Sequence, residues 1–283
     1  MIYYLLLILI PMVSCLQSVA QKQYNLKYAS PNVILFSAVT SVIALIFFVI
    51  TSGFDLSFDA RLVPYSLGFA VCYAAAWVAT VLAVRYGLMA ISSLIVSCSL
   101  IFPTVYGVIL GEAVTVRLII GIALIFAAIV LVNLKFSEKG KFSLKWLACA
   151  LIAFAGNGVC SIMQNMQKRR LGDSYSHEFM IIALAAASVM LIVYGCIVSK
   201  NVLTDIKQCT PYAAANGVAN AALNLLMLMI IGNIPNTILY PTNAALGMIF
   251  TFLLAFFGYK ERFSVPQYIG YGLGIVSIVL LNI

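Results

Sequence analysis

Three asparagines, Asn216, Asn220 and Asn224, recur at i, i+4 and i+8 in an otherwise apolar run, so a helix there would carry an amide stripe along one face. Amides both donate and accept hydrogen bonds, which suits them to recognising a polar solute but makes them costly to place in hydrocarbon without partners. A displacement of 147 residues sets Phe69, Tyr73 and Trp77 against them. One part of the chain would thus present amides and another aromatic faces to a shared space. Further polar faces are Ser14, Gln17, Ser18 and Gln21 in one segment and Asn157, Ser161, Gln164 and Lys168 in another; Tyr240 and Asn243 flank Pro241, where a broken helix could expose carbonyls. Hydrogen bonding between helices is the alternative use of any one of these residues, and it needs no solute. The nine expected solute contacts are Tyr73, Trp77, Asn220, Asn224, Gln17, Asn157, Gln164, Tyr240 and Asn243.

Acids and bases avoid the middle of every apolar segment. No buried carboxylate is therefore expected for proton coupling or for pairing with a cation, which favours a neutral or zwitterionic solute, or a cation held by the faces of Tyr73 and Trp77. Glu112, Glu261 and Glu178 fall at segment ends, as rim or gating candidates. For Glu112 and Glu261 the simpler role is attraction to the positive start of the helix each precedes. His177 also lies at a rim, beside Glu178, where packing is its simpler role.

The elements that must hold these residues follow from composition. Of 283 residues 64% are hydrophobic and only 8% charged, with mean hydropathy +1.11, against about 25% charged in soluble domains. Apolar runs are long enough at about 1.5 Å per residue to cross roughly 30 Å of hydrocarbon, and they lack the alternation of barrel strands. An all-α integral membrane protein is expected. Its ten spans are placed at about 2–20, 32–51, 62–84, 88–110, 112–134, 146–165, 179–199, 211–232, 236–259 and 265–283. Ser18-Val19-Ala20 resembles a signal-peptidase site, but no basic stretch precedes the first run, and it is read as a retained span. Pro103 should distort the fourth span. Thr115 and Ser264 should cap the fifth and tenth.

Glu112 to Leu134 returns as Glu261 to Ile283 at an offset of 149, with nine identities in 23 positions, including Gly121/Gly270 and Asn133/Asn282. Gln21-Lys22 returns as Gln167-Lys168, and Pro64-Tyr65 as Pro211-Tyr212, at offsets of 146 and 147. The chain therefore reads as two repeats, 1–135 and 144–283, joined by the polar linker 136–143. A unit of five spans ends on the side opposite its start, so the second repeat enters the membrane inverted. That is the architecture of alternating-access transporters, with the solute site between the halves near the midplane.

Ten spans, a five plus five repeat, and Gly111-Glu112 or Lys260-Glu261 leading into a helix with glycine nine residues later together resemble the EamA-type transporters of the drug/metabolite transporter superfamily. The resemblance covers the whole chain. It implies secondary transport or efflux of amino acids, metabolites or drugs, and in some members nucleotide sugars or lipid-linked sugars. It also implies a multi-pass protein of the plasma membrane (a bacterial inner membrane or cell membrane) with both termini in the cytoplasm. Lysines and arginines counted over alternate loops favour the opposite orientation, both termini outside.

The expected function is thus export of a small organic metabolite such as an amino acid. A quaternary ammonium compound, a drug or a lipid-linked sugar is the alternative cargo, and a non-transporting membrane scaffold the alternative class. No catalytic constellation, phosphate loop or metal cluster is visible, so no enzyme activity, cofactor or metal is expected. The seven cysteines show no C-x-x-C pairing and read as packing residues. The net charge of +8 is spread over loops rather than gathered into a stripe, which fits contact with the bilayer and not with nucleic acid. The assembly is expected to be a monomer or homodimer.

Overall fold

The structure is a computed structural model that describes residues 2–28, 32–86, 95–133, 143–258, 260 and 263–282. Among these, ten α-helices carry the fold: α1 (Ile2–Lys27), α2 (Val33–Thr51), α3 (Val63–Tyr86), α4 (Ile101–Ile109), α5 (Val116–Asn133), α6 (Leu144–Leu171), α7 (Ser176–Val198), α8 (Val202–Ile230), α9 (Asn236–Leu253) and α10 (Val265–Asn282). Eight helical segments are long and apolar enough to cross a membrane, and Ile95–Ile109 and Val116–Val132 are shorter apolar helices. The linker 136–142, residues 88–94 of the fourth span, and Glu261 lie outside the described residues.

Helix starts follow local chemistry. Asn32 Oδ1 accepts the Leu35 amide at 3.0 Å, Ser143 Oγ that of Trp146 at 3.1 Å and Thr115 Oγ1 that of Leu118 at 3.1 Å, each satisfying a donor left free in a first turn. At α10 the expected Ser264 cap is corrected: its hydroxyl donates to Gln267 Oε1 at 3.1 Å, and the same oxygen accepts the Ser264 amide at 2.9 Å, the reciprocal half of a capping box. Cys98–Leu100 tightens into a 3-10 turn just before Pro103, where the ring denies the Ser99 carbonyl its helical partner. At Pro241 the expectation of a broken helix is corrected, because α9 runs continuously through it. Three other boundaries move as well. α1 and α6 continue to Lys27 and Leu171, and α8 starts at Val202 rather than Pro211. Hydropathy marks the apolar length of a helix, and backbone hydrogen bonding carries it on through polar residues.

Packing follows the sequence repeat. α3 lies on α6 as α1 lies on α8, α2 on α8 as α7 on α3, and α1 on α9 as α6 on α4; α2 with α7, α4 with α9 and α5 with α10 each join an element to its counterpart. In the last pair Gly121, near the start of α5, leaves room for Leu281 near the end of α10. Gly270, near the start of α10, does the same for Val132 and the Ala128 carbonyl near the end of α5. These contacts are reciprocal at the 149-residue offset and make the pair antiparallel.

The bundle has two ends. At one, here the terminal end, the start of α1 meets the end of α8 and the start of α9 through Leu7, Ile10, Ile230 and Leu239. At the opposite end Tyr24, Phe36, Cys209 and Ala213 close over α1, α2 and α8. A larger core of Phe48, Leu62, Phe69, Phe179 and Leu184 joins α2, α3 and α7.

Candidate solute site

α8 and α6 supply the centre of the site. The Gln164 amide donates to Asn224 Oδ1 at 2.8 Å, and Asn224 Nδ2 donates to the Asn220 carbonyl at 2.9 Å and to Asn220 Oδ1 at 3.3 Å. This is a continuous amide ladder across two helices. On α3, Tyr73 stacks on Phe69 at 5.7 Å and meets Trp77 edge-on at 6.4 Å. Ser41, Trp77 and Asn220 surround the Tyr73 hydroxyl, yet that buried oxygen makes no hydrogen bond of good geometry. The amide and aromatic faces therefore meet at Asn220 and Tyr73. Phe69 is core, packed edge-on against Phe179 at 5.7 Å.

One turn from Asn220, Asn216 is fully buried, and neither its amide nitrogen nor its oxygen finds a partner. The Thr40 and Ser188 hydroxyls and Asn243 Oδ1 are buried and unpaired too. With Tyr73 these groups come from α2, α3, α7, α8 and α9, each at least seven residues from either end of its helix. A buried polar atom without a partner costs about 1 to 3 kcal/mol. Several of these groups lie at mid-helix depth.

Tyr240 and Asn243 both lie on α9. The Tyr240 hydroxyl accepts Asn165 Nδ2 at 2.7 Å, the same nitrogen donates to the Ser161 carbonyl at 2.9 Å, and Asn165 Oδ1 is unpaired. Asn165 was not among the expected contacts, although it follows Asn157 and Ser161 at helical spacing. Asn157 itself is half-buried and donates to the Ala153 carbonyl of its own helix at 2.9 Å. Gln17 is half-buried on α1. Trp77 also lines a cleft of about 40 Å³ with Gln21, Tyr24, Val33 and Phe36. Larger clefts lie elsewhere: one of about 480 Å³ runs beside Thr115, Ile238 and Leu281, and one of about 340 Å³ beside Ile129, Ala244 and Tyr271. Of the ladder, Gln164 is buried and Asn220 and Asn224 are half-buried.

The rim acids have specific partners. Glu112 does not serve the start of its own helix, as its position suggested. Its Oε2 accepts the Thr237 amide at 2.8 Å and the Thr237 hydroxyl at 3.0 Å, capping α9, while Oε1 pairs with Arg169 at 3.1 Å. Gly111, at φ +85°, gives the turn that aims it. Gly107 leaves the room its carboxylate occupies. Glu178 Oε1 accepts the Ser57 amide at 3.0 Å and holds the α2–α3 loop. The mirrored bond at the opposite end runs from Asn32 Nδ2 to Asp205 at 2.9 Å. His177 meets the Phe48 ring edge-on at 5.9 Å. Outside the apolar spans, the Arg61 guanidinium holds the Asp59 carboxyl below its ordinary range.

No protein-family model matches the chain, and no curated protein matches it in sequence. In fold it is similar to a protein of solved structure described only as "Crystal structure of protein": the TM-score is 0.75 at 15% identity, over 99% of this chain and 98% of that one. The likeness extends to the fold alone.

Proposed function

We propose that the chain is a multi-pass membrane transporter of the EamA type that moves a small neutral or zwitterionic metabolite, such as an amino acid, by alternating access between two inverted halves, in the direction of export. The observation that carries this reading is the set of buried, unpaired polar groups at Thr40, Tyr73, Ser188, Asn216 and Asn243, contributed by both halves. A purely structural bundle gains nothing from leaving them unpaired; a solute or water drawn between the halves would pair them. The reciprocal antiparallel contact of α5 with α10 supports the inverted relation, because only a two-fold axis across the helices exchanges Gly121 with Gly270 in that way. Eight helices of membrane-crossing length support the setting.

In this mechanism the solute displaces the internal bonds of the ladder. Asn220 and Asn224 exchange one another for the solute's polar groups, Gln164 follows, and Tyr73 and Trp77 cover its apolar part. The edge-on pair of Tyr73 and Trp77 also favours a quaternary ammonium ion as a second cargo. Uptake into vesicles reconstituted with Asn220→Leu and Trp77→Ala tests the site: both should lose most of the transport, and unchanged transport in both would place the site elsewhere. A thermal-shift screen against amino acids, choline-like cations and nucleotide sugars tests the cargo. A ligand at 100 times its Kd adds about 2.7 kcal/mol, and stabilisation by nucleotide sugars alone would refute the choice.

A further inference from the structure

At the terminal end the carboxylate of Glu112 joins three pieces of the bundle: the turn between α4 and α5 in the first half, and the end of α6 and the start of α9 in the second. The Glu112 side chain is 10% exposed and that of Arg169 36%, so the pair is partly screened, between a free surface pair and a buried one. Beside it Asn236 is fully buried with both amide atoms unpaired. This tight junction thus contains a group that gains partners once the junction opens.

The repeat shows what the other half offers at the corresponding place. Gln167-Lys168 corresponds to Gln21-Lys22, so Arg169 corresponds to Gln23 and Arg170 to Tyr24. The structure supports this register independently. Arg170 donates to the Tyr65 hydroxyl at 3.2 Å, and Tyr24 lies 6.0 Å from the ring of Tyr212, the counterpart of Tyr65. Where the terminal end has a guanidinium for its acid, the first repeat supplies a neutral amide, Gln23, which is exposed on α1. Two identical halves would give two equivalent closed ends; at this position the halves differ in charge.

We propose that Arg169 sets the resting state of the protein: its ion pair with Glu112 keeps the terminal end closed and biases the bundle toward opening at the opposite end. The proposal rests on the alternating-access reading above. Arg169 acts here as a positioning residue, and it has no part in holding solute.

The test uses the full chain with its native cysteines replaced and spin labels at Val114→Cys and Ser174→Cys, exposed positions beside the two sides of the junction. Pulsed distance measurements should show one dominant short distance. Arg169→Gln, which copies Gln23, should raise a longer-distance population about tenfold, the change expected when about 1.4 kcal/mol of bias is lost. Arg169→Lys, which keeps the charge, should restore most of the short distance. Glu112→Gln, isosteric and least disturbing to the fold, should lengthen the distance as Arg169→Gln does. Unchanged distributions in Arg169→Gln and Glu112→Gln, or an Arg169→Lys as open as Arg169→Gln, would overturn the proposal. If transported solute lengthens the distance while these variants do not, only the junction is refuted. A single short distance in every variant and with every solute would refute the alternation beneath it.

Discussion

The seam between α5 and α10 and the meeting of α3 with α8 relate the same two repeats in opposite ways. Along the seam, position matches position: Gly121 faces Ser277 and Leu281, and Gly270 faces their counterparts Ala128 and Val132. At the centre, Phe69, Tyr73 and Trp77 on α3 correspond to Asn216, Asn220 and Asn224 on α8, and no pair agrees in chemistry. Close packing of two helices has a symmetric solution that both copies can share. A polar solute with dissimilar ends has none, so a site for it on a two-fold axis must be made from unlike residues. Symmetry is kept along the seam and lost at the proposed site.

The harshest way to break this comparison is at the seam. A methyl group at Gly270 would lie 3.0 Å from the Ala128 carbonyl, a backbone atom that cannot turn aside, whereas one at Gly121 would meet the Leu281 side chain at 2.8 Å, with the nearest backbone atom, the Ser277 carbonyl, at 3.6 Å. Gly270→Ala should cost about 3 kcal/mol and Gly121→Ala clearly less, read as thermal unfolding in detergent; equal effects would mean that the seam is looser than described. At the centre, Gln164→Leu leaves Asn224 Oδ1 without its donor and should cost about 1 to 3 kcal/mol. Tyr73→Phe, by contrast, removes a hydroxyl that makes no hydrogen bond of good geometry and should not lower stability while transport falls. Stability lost in Tyr73→Phe would make that hydroxyl structural.

A smaller effect sharpens an asymmetry within the seam. Ser277 Oγ donates to the Gly121 carbonyl at 2.8 Å, and its counterpart Ala128 has no hydroxyl. Ser277→Ala should therefore cost only about 0.6 kcal/mol in the same unfolding assay. The smallest effect belongs to the loop before α3, where Asp59 caps the Arg61 amide at 2.8 Å and its carboxyl is held low by Arg61. Because the folded value is depressed, this contribution is present above the ordinary carboxylate range and is lost as pH falls below about 4. Pepsin should cut the 52–59 loop faster than acid activation of the protease explains, and Asp59→Asn should remove that excess.

The amide ladder was legible because a spacing of four within apolar sequence admits few structural readings. Tyr73 and Trp77 were found through the repeat. Thr40 and Ser188 were not, since a short hydroxyl within a helix ordinarily bonds to its own backbone and leaves no trace in the pattern. Asn165 carried a signal, four residues after Ser161, but the face was drawn through Gln164 instead. Glu112 was visible as a rim acid with the wrong partner, because Arg169 and Thr237 are 57 and 125 residues away and local sequence points only to the nearest helix start.

The way the halves interlock also bears on how the protein is made. α1 finds its main partner in α8, α3 in α6 and α2 in α7 and α8, so these helices mate with segments of the second repeat. At a synthesis rate of about 5 to 20 residues per second, the first five helices wait on the order of ten seconds or longer before the second repeat is complete. During that interval Ser41 and Tyr73 face lipid or water without the helix that later surrounds them. Assembly is therefore expected to be late and concerted, with the first repeat dependent on chaperoning by the insertion machinery. Expressed alone, it should be degraded, and co-expression of the second repeat as a separate chain should rescue it.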